Sequence, residues 1–179
     1  APPRFARDLG ACLLALRTAP PDQSYVAGSH SFYRGCHPSV YGHEVARSLQ
    51  ILDGQIDTAA CRAIWQNGMT SAWAQAPVWV HGDVAAGNIL MAGTDLTALI
   101  DFGACAVGDP ACDLVMGWTF FDARTRPLFR AAVQVDDATW HRARAWALWK
   151  ALVTLSGLSS PDTNGVQARA LRQILSDDS

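Results

Sequence analysis

The sequence predicts an α+β fold that is mainly helical and contains a small β-hairpin. Apolar residues recur at helical spacing through most of its 179 residues, which is the pattern of amphipathic or buried helices. Between residues 78 and 101, two short apolar runs instead flank a turn that contains Gly and Asp, which is the pattern of a hairpin. Half of the chain is hydrophobic and only 17% is charged, so it has enough apolar side chains for one core.

The N-terminal part is predicted to hold three helices and one long loop. The helices are expected at residues 4–18, 42–52 and 57–73, where apolar residues follow the helical period. Residues 22–42 show no clear period and are rich in Ser, Gly and Tyr. We therefore expect a long loop there, and long loops in compact domains are often functional.

The middle of the chain is predicted to hold three short strands. The first covers residues 78–80 and is followed by a polar loop that begins at His81. The second and third cover residues 89–91 and 96–100 and form the hairpin around a turn at residues 92–95. A hairpin brings the loop before its first strand close to the end of its second strand.

The remainder of the chain is predicted to be helical. Asp109 and Pro110 form a typical helix start, because an Asp N-cap is followed by Pro at the first helical position, and apolar residues continue this helix to Phe120. Further helices are expected at residues 125–134, 137–157 and 164–175. The middle one of these is rich in Trp and Leu and should be buried, whereas residues 176–179 are expected to fray.

Composition and charge exclude several classes of partner. The net charge of −2 argues against nucleic acid or an anionic membrane, because either needs a basic surface on the protein. No apolar run approaches the length needed to cross a bilayer. The five cysteines are an odd number and include no C-x-x-C pair, which indicates free thiols in a reducing cytoplasm.

Three oxygen-bearing side chains fall at the ends of the predicted hairpin. Asp83 and Asn88 precede its first strand, and Asp101 follows its second. We expect them to converge on one point, and hard cations such as Mg²⁺ take oxygen ligands and usually retain substrate phosphates. The alternative is that Asp83 and Asp101 only cap turns, but this does not explain why all three residues lie on one side of the hairpin. The stretch therefore predicts a phosphoryl-transfer site.

The spacing of these residues resembles that of a known enzyme family. His81-Gly82-Asp83 is followed after four residues by Asn88, and after twelve more by Asp101-Phe102-Gly103. Gly108-Asp109-Pro110 comes next, with Asp113-Leu114 shortly behind it. Together these segments resemble the aminoglycoside phosphotransferase family, which shares the protein-kinase fold. The resemblance implies the C-terminal lobe of a protein-kinase-like fold, with the hairpin as its catalytic hairpin.

The chemistry and the resemblance assign roles to the residues at the hairpin. Phosphoryl transfer needs positioning and charge neutralisation, and a carboxylate at Asp83 can orient the acceptor hydroxyl and take its proton. Asn88 and Asp101 offer oxygens that can hold Mg²⁺ against the phosphates of ATP or GTP. The resemblance implies that His81 organises the catalytic loop through bonds from its ring to the backbone.

Four further residues are expected to support this site: Gly82, Gly103, Asp109 and Asp113. Gly82 permits a backbone geometry that other residues avoid. Asp113 has two alternative roles, because it either favours the helix dipole or, as the resemblance implies, reaches back to brace the catalytic loop.

The resemblance places part of the acceptor site between the first helix of the chain and the catalytic loop. The candidate acceptor-binding residues in this region are Tyr25, Phe32, Tyr33, Tyr41 and Glu44. The aromatic residues have a simpler alternative role, which is to pin the long loop to the core.

The acceptor is expected to be a small molecule with a hydroxyl group. An aminoglycoside is a polycation and needs an acidic pocket, yet residues 17–50 carry three arginines against two acidic residues. Asp136 and Asp137 can add negative charge from a later helix. A macrolide, a sugar or an amino alcohol is therefore as consistent with the sequence, since a family resemblance alone does not identify the substrate.

The resemblance also implies a nucleotide-binding lobe that supplies a glycine-rich turn, a phosphate-binding lysine and a glutamate. The chain contains no G-x-G-x-x-G, and its only lysine, Lys150, lies in the late Trp-rich segment. We therefore expect residues 1–179 to form a single C-terminal lobe that binds the acceptor and carries the catalytic residues. The nucleotide lobe is expected to be absent from this chain and to be supplied in cis.

The leading functional hypothesis is a cytoplasmic phosphotransferase that moves the γ-phosphate of ATP or GTP to a small-molecule hydroxyl. We expect the isolated lobe to be weak or inactive, because positioning supplies about 7–11 kcal/mol of barrier reduction in favourable cases. The main alternative is a non-catalytic binding module that keeps a kinase-like lobe. A metal-dependent hydrolase is less consistent, because such sites usually recruit several histidines and only His81 lies near these carboxylates.

Overall fold

The computed structural model describes residues 2–177. In this part of the chain, helices surround two antiparallel two-stranded sheets. The helices are α1 Pro3–Thr18, α2 Gly42–Ile51, α3 Thr58–Gly68, α4 Met116–Thr119, α5 Arg126–Val133, α6 Asp137–Leu155 and α7 Val166–Leu175. The strands are β1 Val78–Val80, β2 Ile89–Ala92, β3 Asp95–Leu99 and β4 Ala106–Gly108. None of the helices in residues 2–177 is long and apolar enough to span a lipid bilayer.

Helix α6 is the centre of the packing. It is 19 residues long and contacts α2, α3, α4 and α7. Its tryptophans are almost entirely enclosed, with Trp140, Trp146 and Trp149 no more than 7% exposed. The predicted burial of this Trp- and Leu-rich helix is therefore confirmed, and any charged residue on its inner turns must find a partner inside the fold.

The two sheets bring the polar loops of the middle region together. Strands β2 and β3 form the predicted hairpin, with Ile89 opposite Leu99. Strand β1 pairs with β4, with Trp79 opposite Val107. This second pairing was not predicted, because three residues are too few to show an alternating pattern. It places the loop that follows β1 beside the segment that leads into β4, where Gly82 lies against Ala104.

The bounds of the hairpin differ slightly from the prediction. The third strand was expected at residues 96–100 but begins and ends one residue earlier. Ala92 pairs with Asp95, so only Gly93 and Thr94 form the loop instead of the four residues expected. Gly93 has a φ of 63°, which a short hairpin loop requires and which glycine adopts without strain.

Helix α3 ends at Gly68, five residues before the predicted end at Trp73. The backbone of Gly68 lies against α6, since a Cβ atom there would come within 2.6 Å of the Ala145 Cβ. Just beyond it, the Ser71 hydroxyl accepts a hydrogen bond of 2.9 Å from Arg142 on α6. These tertiary contacts turn the chain away from the helix axis, although its local composition favours a longer helix.

Two predicted segments contain tighter turns than expected. The loop at residues 22–42 includes three short 3₁₀ segments, which are Gln23–Tyr25, Ser29–Ser31 and Pro38–Tyr41. The helix predicted after Asp109 begins as a 3₁₀ turn over Pro110–Leu114 and continues as α4. Asp109 caps this turn as predicted, because its side chain accepts the N–H of Ala111 at 3.0 Å.

The prediction that the C-terminus frays is wrong for Asp177, while residues 178–179 lie outside the described part. The Asp177 carboxylate accepts a hydrogen bond of 2.7 Å from the Trp118 indole. It also forms an ion pair of 3.2 Å with Arg126, whose side chain is 7% exposed. A buried guanidinium needs a counter-ion, and the end of the chain supplies it here.

Candidate active site

Asp113 holds the loop that follows β1. Its two carboxylate oxygens accept the backbone N–H groups of His81 at 2.7 Å and Gly82 at 2.8 Å. The side chain is only 4% exposed, and burial raises the pKa of Asp113, while the two backbone hydrogen bonds act in the opposite direction. The carboxylate therefore satisfies two buried N–H donors that would otherwise destabilise the loop.

Gly82 allows the same loop to lie directly against the segment after β3. Its φ is +82°, and a Cβ atom at this position would come within 2.2 Å of the Ala104 carbonyl oxygen. Both the backbone conformation and the close approach exclude a larger residue. Gly103, the other predicted supporting glycine, donates its N–H to Asp101 Oδ1 at 3.4 Å.

The His81 ring links the two halves of the site. Its Nε2 lies 2.9 Å from the Ile100 carbonyl oxygen, and its Nδ1 accepts the Asp83 N–H at 3.2 Å. These partners assign the ring proton to Nε2. The ring is fully buried and packs on Phe102 with centroids 4.4 Å apart. His81 therefore positions the segments that carry Asp83 and Asp101 and does not face open space itself.

Asp83 and Asn88 are in direct contact. The Asn88 side-chain amide donates to the Asp83 carbonyl oxygen at 2.9 Å and to its carboxylate Oδ2 at 3.0 Å. The Asp83 side chain remains exposed. The contact fixes the orientation of the Asn88 amide and leaves Oδ1 of each side chain without a hydrogen-bond partner among residues 2–177.

The backbone joins Asp101 to this pair. The residue before it, Ile100, donates its N–H to the Asn88 carbonyl oxygen at 2.9 Å. Asp101 has a φ of 64°, a left-handed conformation that costs a residue other than glycine about 1–3 kcal/mol and is often found at functional sites. Carboxylate and amide oxygens are ligands of hard cations, so Asn88 and Asp101 fit Mg²⁺. In residues 2–177, no group of three or more His, Cys, Asp or Glu side chains is arranged to hold a metal ion.

A buried ion pair connects the turn after β4 to α6. The Asp109 Oδ2 atom lies 2.7 Å from Arg142 Nε, and the two side chains are 5% and 1% exposed. Arg142 also donates to Ser71 and Thr139. Sequence reasoning missed Arg142. Its signal was a charged residue within a Trp- and Leu-rich helix that was expected to be buried, because a buried charge requires a partner.

A cavity of about 330 Å³ opens beside Asp83. It lies between the loop after β1 and helices α4, α6 and α7. Its wall is mainly apolar, and the large side chains that line it are Met116, Phe120, Trp146 and Trp149. The charged residues that line it are Asp83, Arg34, Lys150 and Arg169. One carboxylate therefore faces three cationic side chains across an apolar space.

None of the five predicted acceptor-binding residues lines this cavity. Tyr41 stacks on Trp149 with centroids 4.0 Å apart, and its hydroxyl donates to the Phe32 carbonyl oxygen at 2.9 Å. Glu44 accepts the Trp149 indole N–H at 2.8 Å. Tyr41 and Glu44 thus support the wall from behind.

Of the other three predicted aromatic residues, Phe32 is 67% exposed, and Tyr25 and Tyr33 pack at the periphery. Tyr25 lies on Trp79 with centroids 5.7 Å apart, and Tyr33 lies edge-on to Tyr41 at 6.4 Å. These contacts match the alternative role of pinning the loop. Asp136 and Asp137 are also away from the cavity, because Asp136 caps α6 and Asp137 pairs with Arg130.

Comparison with known proteins gives a consistent picture of the fold. A family model described as "Phosphotransferase enzyme family" matches residues 1–146. Among curated proteins, no sequence matches. Solved structures do match, including the ternary complex of aminoglycoside phosphotransferase APH(2'')-IIa with streptomycin and ATP (TM-score 0.57, 18% identity, 98% of this chain). Another is the ADP-bound aminoglycoside phosphotransferase APH(2'')-Ib (TM-score 0.55, 19% identity, 96% of this chain).

A macrolide 2'-phosphotransferase, MphH from Brachybacterium faecium, is equally similar (TM-score 0.58, 18% identity, 100% of this chain). The chain spans 62% of the length of each of these three structures. At such low identity the likeness shows the fold, which is the mainly helical, kinase-like fold that the sequence predicted.

Proposed function

Because this chain belongs to the phosphotransferase enzyme family, we propose that it is the catalytic and acceptor-binding lobe of a small-molecule kinase. The enzyme transfers the γ-phosphate of ATP or GTP to a hydroxyl group of its acceptor. The observation that carries the proposal is the position of Asp83, whose exposed side chain lines the cavity while Asn88 donates two hydrogen bonds to the residue.

In the proposed step, Asp83 orients the acceptor hydroxyl from the wall of the cavity and accepts its proton. The acceptor oxygen forms its bond to the γ-phosphorus as the bond to the nucleoside diphosphate breaks. Asn88 and Asp101 would hold Mg²⁺, which would neutralise charge on the phosphates. His81, Gly82 and Asp113 keep the loop in place.

The nucleotide lobe is the part of the proposal that lies outside this chain. The similar structures include complexes with ATP and ADP, and this chain spans 62% of their length. We place the lobe that contacts the rest of the nucleotide upstream in cis, and the enzyme in the cytoplasm. The isolated chain should then transfer phosphate very slowly, because most of the positioning of the nucleotide is missing.

The experiment is Mg²⁺-dependent nucleotide binding, measured by calorimetry on this chain and on the chain extended by its native upstream sequence. We expect the extension to restore binding and the Asp101→Asn variant of the extended protein to weaken it. Asp95→Asn is the matched control, because Asp95 lies at the other end of the same hairpin and its side chain is 53% exposed. Absence of binding in both proteins supports the non-catalytic module instead.

A further inference from the structure

Two of the three cations at the cavity wall, Arg34 and Lys150, lack ion-pair partners among residues 2–177. The Arg34 guanidinium lies over the rings of Trp146 and Trp149, 5.0 Å and 4.7 Å from their centroids. Lys150 donates to the Ser159 hydroxyl at 3.2 Å. Neither cation takes part in any of the ion pairs formed within residues 2–177. Their charges are therefore available to a bound molecule.

Few negative charges face these two cations. In the part of the chain that the structure describes, Asp83 is the only carboxylate that lines the cavity, and the Glu44 carboxylate is held behind the wall by the Trp149 indole. Burial is the largest cause of the lowered pKa of Lys150. The charge of Arg34 lowers this pKa further, while the charges of Asp83 and Glu44 act in the opposite direction. The cavity thus carries an excess of positive charge in partly buried surroundings, which favours the binding of an anion.

We propose that the acceptor is an anion: a hydroxyl compound with a flat apolar body and one acidic group such as a carboxylate. Arg34 and Lys150 bind the acidic group, and the apolar wall of the cavity, where Phe120 is 42% exposed, packs against the apolar body. Asp83 meets the hydroxyl, so this inference rests on the proposed function. A polycationic acceptor is disfavoured, because it would meet three cationic side chains and a single carboxylate.

The geometry of the wall suits such a molecule. The Arg34 guanidinium lies over the two indole rings, and a guanidinium can bind a planar carboxylate by two parallel hydrogen bonds. A space of about 330 Å³ is at the lower end of the range for small-molecule pockets. It therefore fits a compact acceptor of about one substituted ring.

The test uses three probes of similar size that carry a negative, a neutral and a positive substituent on the same hydroxymethyl-substituted ring: 4-(hydroxymethyl)benzoate, 4-(hydroxymethyl)benzamide and 4-(hydroxymethyl)benzylamine. Binding to the full 179-residue chain is measured by calorimetry at low salt, without nucleotide. We expect the benzoate to bind at least about tenfold more tightly than the amide, a difference of about 1.4 kcal/mol, and the benzylamine to bind most weakly. The preference should shrink at high salt, because ions screen partly exposed charges.

Variants identify the groups responsible. Arg34→Gln and Lys150→Gln should each reduce the preference for benzoate over benzamide, while the affinity for benzamide stays the same. Arg62→Gln removes the same charge from an exposed position on α3 that does not line the cavity, and should leave the preference unchanged. Thermal unfolding of each variant checks that it folds. If loss of the contact between Arg34 and the indole rings disrupts the cavity wall, the Lys150→Gln variant still tests the inference.

Two outcomes would overturn the inference. One is that the three probes bind equally, that the benzylamine binds best, or that none binds at millimolar concentration. The other is that both variants keep the full preference for benzoate, which would mean that Arg34 and Lys150 serve another ligand such as the nucleotide phosphates. Because these binding measurements contain no nucleotide, a negative result would not contradict the proposed phosphoryl transfer. Conversely, the preference for an anion could still be measured if the protein proved to have no kinase activity.

Discussion

Two carboxylates are associated with the loop that follows β1, and they differ in burial. Asp83 belongs to the loop, whereas Asp113 is hydrogen-bonded to it from a later segment. Asp113 is 4% exposed and both of its oxygens accept buried N–H groups, so its hydrogen-bonding capacity is used by the fold. Asp83 is exposed at the cavity and accepts only from Asn88. The difference in burial separates a carboxylate that holds the loop from one that is free to meet a substrate.

Replacement of Asp113 by Asn should destabilise the protein by about 1–3 kcal/mol, the cost of leaving a buried donor without a partner. The substitution places an NH₂ group against one of two N–H donors, so His81 or Gly82 loses its acceptor. Urea unfolding measures the change as a lower midpoint with an unchanged slope. Asp53→Asn, on an exposed turn, is the control and should have almost no effect.

Much of the site was visible in the sequence at this scale, because short motifs depend on local geometry. The spacing from His81 to Asp101 predicted that Asp83, Asn88 and Asp101 converge at the hairpin. Asp83 and Asn88 are in contact, and the convergence of the Asp101 side chain with them stays a prediction. Arg34, Trp149 and Lys150 were not predicted to line a cavity, because they are distant in sequence. A Trp in an apolar helix is usually core, and only packing shows that Trp149 also faces the cavity.

Helix α6 is the element that connects the site to the core. It carries Arg142, which holds the Asp109 turn, and it carries Trp146, Trp149 and Lys150 along the cavity wall. Its first turn is capped by Asp136, whose side chain accepts the Thr139 N–H at 2.7 Å. The position of the cavity wall therefore depends partly on how well this helix begins.

Replacement of Asp136 by Ala should lower the free energy of unfolding by about 1 kcal/mol at pH 7, the usual cost of losing an N-cap. The pKa of Asp136 is held below its ordinary value of 3.8, chiefly by the side-chain hydrogen bond with Thr139. Its contribution is therefore complete above that value and is lost as the pH falls through the lowered pKa. The gap between variant and wild type, measured by urea unfolding, should close as the pH is taken well below 3.8. An equal gap at all pH values would contradict the capping role.

Elements with a distinct local composition were predicted well, and those defined by distant contacts were not. Helix α6 follows from its Trp- and Leu-rich composition, and the β2–β3 hairpin follows from its apolar runs and turn composition. Strand β4 has only three residues, and it exists because β1 lies next to it. The early end of α3 similarly depends on the approach of α6 to Gly68, which no local pattern contains.

At the scale of the whole molecule, the last described residue ties several helices together. Asp177 pairs with Arg126 at the start of α5 and accepts from Trp118 in α4. The Arg126 side chain also donates to Gly117 and Gln173, so α4, α5 and α7 meet at one buried cluster. The end of the chain therefore closes the helical side of the fold.

Replacement of Asp177 by Asn should cost about 3 kcal/mol, because removing one partner of a buried pair leaves the other charge uncompensated. Urea unfolding again provides the measurement. Asp137→Asn is the matched control, since its pair with Arg130 is at the surface, with Asp137 84% exposed, and such pairs contribute about 0–1 kcal/mol. A similar small loss in both variants would show that the Asp177 cluster adds little stability.

The most direct measurement of the central claim is the rate of phosphoryl transfer from ATP by the protein with its native upstream sequence, compared with its Asp83→Asn variant. Asn keeps the size of the side chain and its hydrogen bond to a hydroxyl but cannot accept the proton. We expect kcat to fall by about 10²–10⁴-fold, as for loss of a general base, while the nucleotide affinity changes little. A variant that keeps kcat within about threefold of the wild type, a loss of less than 1 kcal/mol in barrier height, would contradict the assignment of Asp83 and with it the proposed mechanism.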